Sequence, residues 1–188
     1  MSEIARVFLS VDIEDHALLS KIEEIQGLLD REAAKMKLVE RENIHFTWRF
    51  FGDTPLNTVD AIHTELEKLD FSSFSIDISG VSAFPKISHP RVIWVGVGEN
   101  TDLMVKLKSE TDSLISILGF RPERKRFIPH ATIARVRAVR NRDSMIKNLE
   151  SIADQSVGTM KVESISMTKS TLTPSGPIYD TLWQIPLK

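Results

Sequence analysis

The sequence has 188 residues, of which 41% are apolar and 27% charged, as in an ordinary globular protein with its own core. It has no cysteine and no apolar run long enough for a transmembrane helix, which excludes a membrane span, disulfides and a thiolate metal site. The net charge of −2 gives no overall attraction to nucleic acid, so any RNA-binding surface must be local. The opening "MSEIARVFLS" lacks the apolar core of a signal peptide, which predicts a cytoplasmic protein.

The hydrophobic pattern predicts eleven elements along the chain. In chain order they are strand 6–13, helix 15–34, strand 42–52, helix 53–69, strands 74–84 and 91–98, helix 101–119, strand 127–136, helix 141–154, and strands 159–170 and 178–187. Asp15 and Thr54 are the expected N-caps of the first two helices, and Gly119 is expected to end the third. The order is that of an α+β fold and indicates a doubled unit of strand, helix, strand, helix and two strands.

Two of the predicted strands carry the same short motif, His-x-Thr. The first is "IHFTWRF", with His45 and Thr47, and the second is "PHATIAR", with His130 and Thr132. In a strand, residues i and i+2 project from one face about 6–7 Å apart. The opposite face of the first strand is large and apolar, so it should pack on the helices and leave His45 and Thr47 on the open face. A single His-x-Thr is most simply a solvated strand face, but two copies in corresponding halves predict one shared cleft.

Two imidazoles and two hydroxyls suit acid–base cleavage of a phosphodiester. An imidazole has an ordinary pKa of about 6.5, so one of the pair can accept a proton while the other donates one. Threonine hydroxyls donate hydrogen bonds to the non-bridging oxygens of a phosphate. No third histidine or carboxylate has ligand spacing beside the motifs, so the sequence predicts no metal and no cofactor.

The chain resembles the two-histidine phosphoesterase superfamily and, within it, the RNA 2′,3′-cyclic phosphodiesterases, historically called 2′–5′ RNA ligases (LigT/ThpR type). The resemblance rests on "RVFLSVDI", "NIHFTWRFFGD", "SAFPKISHPRVIWVGV", "RFIPHATIAR" and "LTPSGPIYDTL", which together extend over nearly the whole chain. Trp48 stands where the family usually has leucine; it should face away from the open face and affect packing only.

The resemblance implies a single bilobal domain over residues 1–188, with antiparallel sheets covered by helices on the outside. A pseudo-two-fold axis would relate the halves, and a central groove would carry the two motifs. It also implies that His45 is the proton donor, that His130 is the proton acceptor that activates water, and that Thr47 and Thr132 hold the phosphate. The implied partners are RNA ends with a 2′,3′-cyclic phosphate, tRNA fragments among them, and the implied enzyme is a monomer.

Further cations are candidates for binding phosphate or RNA. Arg49 shares a face with His45 and Thr47. The basic run "RPERKR" contains Arg124, Lys125 and Arg126 just before the second motif; it is either a solvated loop or a local guide for RNA phosphates. Arg135 has the opposite strand parity from His130, which predicts a structural or rim position. Phe84, Trp94 and Tyr179 are candidates for stacking on a base, although the apolar strand around Trp94 favours a core position.

Three functions remain open at this point. The first is hydrolysis of cyclic phosphates at RNA ends, with 2′–5′ ligation as the same chemistry in reverse. The second is a phosphodiesterase for a small cyclic nucleotide or a cyclic ADP-ribose phosphate. The third is a non-catalytic module that binds RNA ends, which the paired imidazoles disfavour because binding alone does not need two titratable groups.

Overall fold

The computed structural model describes residues 3–188, which form four α-helices and nine β-strands. The helices are α1 (His16–Gly27), α2 (Leu56–Leu66), α3 (Thr101–Ile115) and α4 (Arg142–Ser151). The strands are β1 (Ile4–Asp12), β2 (Ala34–Leu38), β3 (His45–Pro55), β4 (Phe74–Phe84), β5 (Val92–Val97), β6 (His130–Val139), β7 (Ser156–Val162), β8 (Ser164–Thr173) and β9 (Gly176–Pro186). All four helices were expected from the sequence pattern, as were all the strands except β2; the pattern did not separate β7 from β8.

The nine strands form one antiparallel sheet in the order β7-β4-β5-β6-β3-β1-β8-β9, with β2 attached to β6. The sheet has two halves of four strands, which meet where β3 pairs with β6. The first unit consists of β1, α1, β3 and α2 and is followed by β4. β4 lies in the other half of the sheet, where it pairs with β5, the first strand of the second unit. The second unit returns through β7 and β8, and β8 pairs with β1. This exchange gives the predicted pseudo-two-fold arrangement of an α+β fold.

The two halves are joined at their centre by a single bridge between Phe46 of β3 and Ala131 of β6. Beyond this bridge β6 leaves β3 and pairs with β2 along Ala34–Leu38. On the helix-covered face, Phe46 and Trp48 are almost fully buried and belong to the main hydrophobic core. His45 and Thr47, which alternate with them, are only partly buried and lie on the other face, as the alternation predicted. The sheet therefore opens a cleft beside the bridge.

The first helix is shorter than predicted, and the prediction of helix over 15–34 is wrong beyond Gly27. The Asp15 side chain accepts hydrogen bonds from the backbone N–H groups of Ala17 and Leu18, so the expected N-cap is confirmed. After the helix, the Asp30 carboxylate accepts from two backbone N–H groups and turns the chain into β2. The alternation of buried Ala34 and Met36 with the lysines of "AKMKL" is the signal of a strand, which the longer helical pattern obscured.

Two other predictions are corrected by the structure. The expected strand 159–170 is two strands, because the buried parity changes from Met160 and Val162 to Ile165 and Met167 around Glu163. This change sends β7 to β4 and β8 to β1, in opposite halves of the sheet. Thr54 is not a helix cap: it lies in β3, and its hydroxyl donates to the Gly52 carbonyl. The third helix ends at Ile115 and is followed by a 3₁₀ turn over Ser116–Leu118, and Gly119 caps this turn in the left-handed region at φ 89°.

A buried glutamine fixes the irregular part of β6. Gln26 of α1 is 5% exposed, and its side-chain amide donates to the carbonyls of Val39 and Ile133, each at 2.9 Å. Ile133 is an extra residue in β6, because Thr132 pairs with Trp94 and Ala134 with Ile93. The glutamine thereby holds the bulge in place against the helix layer.

We expect Gln26→Leu to lower the free energy of unfolding by about 1–3 kcal/mol, because it removes both donors and buries carbonyls with fewer partners. Urea denaturation measures this change. The matched control is Gln155→Leu, since Gln155 lies between α4 and β7, its side chain makes no hydrogen bond within residues 3–188, and its replacement should change stability by less than about 0.5 kcal/mol. Equal losses for the two variants would contradict a role for Gln26 in holding the bulge.

Candidate active site

A cleft of about 1040 Å³ lies beside the bridge between the two halves of the sheet. All four residues of the two motifs line it: His45, Thr47, His130 and Thr132. Both strands begin later than predicted, at His45 and at His130, so each histidine is the first residue of its strand. The antiparallel pairing of Phe46 with Ala131 sets Thr47 beside His130, and Thr132 beside His45. One register thus brings the two motifs together.

The ring of His45 is held by two hydrogen bonds. Its Nδ1 lies 2.8 Å from the Asn43 carbonyl, and its Nε2 lies 2.9 Å from the Thr47 hydroxyl. Because a carbonyl oxygen only accepts, Nδ1 carries a hydrogen and Nε2 is the nitrogen left for proton exchange. In the neutral ring the hydroxyl of Thr47 donates to Nε2, and in the protonated ring Nε2 donates to the hydroxyl.

His130 is held in the same way. Its Nδ1 lies 2.6 Å from the carbonyl of Ile128, again the residue two positions earlier in the chain. This contact leaves Nε2 as the exchanging nitrogen, as in His45. Within residues 3–188 the Nε2 of His130 has no hydrogen-bond partner, whereas that of His45 has Thr47. The two imidazoles therefore share a tautomer but differ in their access to a ligand.

Aromatic rings pack against both imidazoles. Phe8 stacks on His45 with ring centroids 4.9 Å apart, and Tyr179 meets it edge-on at 5.3 Å. Phe84 meets His130 edge-on at 4.8 Å. These rings limit the rotation of the imidazoles and exclude water from one side of each. Trp94 is partly buried, contacts both Phe84 and His130, and does not line the cleft.

The surroundings lower the pKa of both histidines below the usual value. Burial is the main cause of the low pKa of His45; nearby Arg135 and His130 lower it further, while the Asn43 carbonyl and Asp12 oppose them. Burial is also the main cause for His130, whose pKa is lowered further by Lys125 and raised by the Ile128 carbonyl. Near neutral pH both rings are therefore more readily deprotonated than free imidazole.

Arg135 is on the cleft side of β6, so the expectation that strand parity places it on the face opposite His130 is wrong. The bulge at Ile133 buries Ile133 and Ala134 in succession and shifts the alternation by one residue. Arg135 then lies on the same side as His130 and Thr132, exposed and lining the cleft. No simple count of alternate residues could have found it, because the count assumes an unbroken strand.

Arg49 lines the cleft but is engaged in a buried ion-pair network. Its guanidinium donates to Asp112 at 2.8 Å and to the carbonyl of Arg121 at 2.6 Å. Lys108 binds the other oxygen of Asp112 at 2.6 Å and Glu123 at 3.0 Å. The side chains of Arg49, Asp112 and Lys108 are at most 10% exposed. The network ties β3 and α3 to the segment before the second motif, and contact of Arg49 with phosphate stays a prediction.

The basic run has two different sides. Lys125 and Arg126 line the cleft, whereas Arg124 is exposed and does not. Phe8 and the carbonyls of Asn43 and Ile128 were not candidates in the sequence, since nothing in the pattern of β1 or of the two loops marks them. Within residues 3–188, His, Asp and Glu side chains form no group of three or more suited to a metal ion, and no helix is long and apolar enough to cross a membrane.

Comparison with known proteins gives matches over nearly the whole chain. The model of the LigT-like phosphoesterase family matches twice, at residues 13–94 and 95–179, in keeping with the doubled fold. A Methanothermobacter thermautotrophicus protein named RNA 2′,3′-cyclic phosphodiesterase is 38% identical over 176 residues, which is 93% of this chain and 94% of that protein. An Aeropyrum pernix protein of the same name is 34% identical over 168 residues, 89% of this chain and 96% of that one.

The fold is also similar to that of solved structures. The crystal structure of E. coli LigT complexed with 3′-AMP superposes with a TM-score of 0.78 and 18% sequence identity, over 99% of both chains. A similar match to the TT0787 protein of Thermus thermophilus has a TM-score of 0.77 and 24% identity, over 97% of both chains.

We expect both imidazoles to titrate below pH 6.5, since burial disfavours their charged forms. NMR titration of the ring resonances, assigned with His45→Gln and His130→Gln, measures the two values. Lys125→Ala should raise the pKa of His130 more than that of His45, and Arg135→Ala should do the reverse. An ordinary or raised pKa for both rings, or shifts that do not follow these pairings, would contradict the described surroundings.

Proposed function

The chain belongs to the LigT-like phosphoesterases, and on that premise we propose that it hydrolyses 2′,3′-cyclic phosphates at RNA ends to 2′-phosphates. The proposal is for acid–base catalysis by His45 and His130 that requires no metal ion. The observation that carries it is that two imidazoles, each tethered at Nδ1 by a carbonyl, present their Nε2 atoms to one cleft beside threonine hydroxyls.

In the proposed reaction, His130 is the base and His45 the acid. A water oxygen attacks the phosphorus while its proton passes to Nε2 of His130. The bond from phosphorus to the ribose 3′ oxygen breaks, and that oxygen takes the proton held on Nε2 of His45. The product carries a phosphate on the 2′ oxygen, and exchange with solvent restores the two protonation states.

The surroundings of the two rings support this division of roles. His130 has the open Nε2 that a water molecule needs to approach. His45 is the more enclosed ring, and Thr47 holds its Nε2 in a fixed direction. Thr47 and Thr132 can donate to non-bridging oxygens of the phosphate, and Arg135, exposed in the cleft, can offset its negative charge.

The RNA substrate is proposed from the names of the relatives, which are RNA 2′,3′-cyclic phosphodiesterases. Fragments of tRNA with such ends are candidate substrates, because the reaction needs only the terminus. Both histidines come from one chain, so a monomer would suffice. If an RNA 5′-hydroxyl took the place of water as the attacking group, the same proton transfers would form a 2′–5′ linkage.

We expect the protein to convert a 2′,3′-cyclic mononucleotide to the 2′-phosphate in EDTA, since the two imidazoles supply both proton transfers. The product isomer is read by ³¹P NMR, and kcat/KM should have a bell-shaped pH profile centred below pH 6.5, because the pKa values of both free-enzyme histidines are lowered. Formation of the 3′-phosphate would contradict the assignment of the leaving oxygen. Activity that appears only on adding a divalent ion would contradict metal independence.

The two histidines should differ in their dependence on the leaving group. Either His45→Ala or His130→Ala should slow cleavage of a cyclic ribose phosphate by about 10²–10⁴-fold, since the leaving alkoxide is strongly basic. On a nitrophenyl phosphodiester the phenolate needs no acid, so His45→Ala should recover most of its rate relative to wild type and His130→Ala should not.

The kinetic control is His16→Ala, which removes an exposed histidine outside the cleft. It should retain the wild-type rate on both substrates. Recovery of His130→Ala in place of His45→Ala would reverse the roles. Recovery of neither variant would mean that both rings act by stabilising charge on the phosphate.

A further inference from the structure

Part of the cleft lining consists of exposed apolar and basic side chains that the proposed proton transfers do not use. We use the name α3 side for a set of cleft-lining residues: Arg49 and Phe50 of β3, residues of α3, and the segment 122–128 that leads to the second motif. Three large apolar side chains are exposed there: Phe50 at 68%, Val105 at 41% and Ile128 at 41%. No other exposed large apolar side chain within residues 3–188 lines the cleft.

The α3 side also carries an excess of positive charge. Its cations are Arg49, Lys108, Lys125 and Arg126, and its carboxylates are Asp112 and Glu123. The network described above neutralises the two carboxylates with Arg49 and Lys108. Lys125 and Arg126 form no ion pair with any residue from 3 to 188. Two cations are therefore left facing the cleft in a protein whose net charge is −2.

Phe50 connects this side to the catalytic histidine. Its ring lies 5.7 Å from that of Phe8, which in turn stacks on His45 at 4.9 Å. Phe50 thus contacts His45 only through Phe8, and it lies farther from the imidazoles than the aromatic rings that touch them directly. A terminal nucleoside, which is bonded directly to the cyclic phosphate, would lie near Tyr179 or Phe84, the rings that meet the imidazoles edge-on. An aromatic surface one ring farther out suits the next nucleotide along the chain.

We propose that the α3 side is a subsite for the second nucleotide from the RNA end, with its base stacked on Phe50. The phosphate between the last two nucleotides would then face Lys125 and Arg126. Exposed aromatic rings beside unpaired cations are the means by which proteins hold single-stranded nucleic acid without reading its sequence. This inference rests on the proposed function and makes single-stranded ends of at least two nucleotides the preferred substrates.

The test compares kcat/KM for three substrates with a 2′,3′-cyclic phosphate: a mononucleotide, a dinucleotide, and the same dinucleotide with an abasic first residue. Stacking is worth about 1–3 kcal/mol per base, so the intact dinucleotide should exceed the abasic one by about 5- to 150-fold. Phe50→Leu should abolish this ratio and Phe50→Tyr should keep it. Ile117→Ala, which truncates an exposed apolar side chain outside the cleft, should also keep it.

The cations are tested by salt dependence. In Arg126→Ala, kcat/KM for the dinucleotide should depend less on salt, while the salt dependence for the mononucleotide changes little. Lys125 is kept in this variant because its charge also lowers the pKa of His130. An equal change on both substrates would place Arg126 at the catalytic phosphate and overturn its part in the subsite. A wild-type enzyme that does not distinguish the intact from the abasic dinucleotide would overturn the inference as a whole.

Failure of the subsite can be told apart from failure of the proposed function. If the mononucleotide is turned over and Phe50→Leu does not change the dinucleotide ratio, only the subsite is wrong. If no cyclic phosphate is turned over, the function is wrong, and the subsite is then read by fluorescence anisotropy with a labelled dinucleotide 2′-phosphate. Weaker binding to Phe50→Leu than to Phe50→Tyr supports the subsite in that case, and equal binding overturns it.

Discussion

The bridge between Phe46 and Ala131 is the constraint on which the rest of the molecule depends. It is the one pairing that joins β3 to β6 within residues 3–188, and each of its residues directly follows a motif histidine. A slip of one residue would send one histidine and its threonine into the helix-covered core. The buried Phe46 and the small Ala131 oppose such a slip, because neither imidazole could replace them there without losing its hydrogen bonds.

The sequence predicted the parts of the site that follow strict alternation. His45 and Thr47 lie where the apolar stripe of β3 requires, and the motif of β6 follows the same rule as far as Thr132. The prediction failed at Arg135 because a bulge depends on pairing with β2 and β5 and on Gln26 of another helix. Such long-range contacts leave no local signal. The break between β7 and β8 did leave one, as a change of buried parity at Glu163.

The backbone gives both halves of the site the same local support. Each histidine rests on the carbonyl two residues before it, and each is flanked by an aromatic ring from a neighbouring part of the sheet. The halves differ in what surrounds this shared support. The ring of His45 is closed in by Phe8, Tyr179 and Thr47, whereas that of His130 opens toward Lys125. Duplication therefore accounts for the pair, and local differences distinguish the surroundings of the two rings.

The ion-pair network around Asp112 separates two tasks within one cleft. Arg49 donates to the backbone carbonyl of Arg121, and Lys108 pairs with the side chain of Glu123. The segment that precedes Lys125 is therefore fixed to β3 and α3. The two imidazoles are held separately, by strand register and by the carbonyls of Asn43 and Ile128. Substitutions at Arg124 or Arg126 can consequently change which molecules enter the cleft without altering the hydrogen bonds that hold the two rings. The lining of the cleft and the support of the imidazoles can in this sense vary separately.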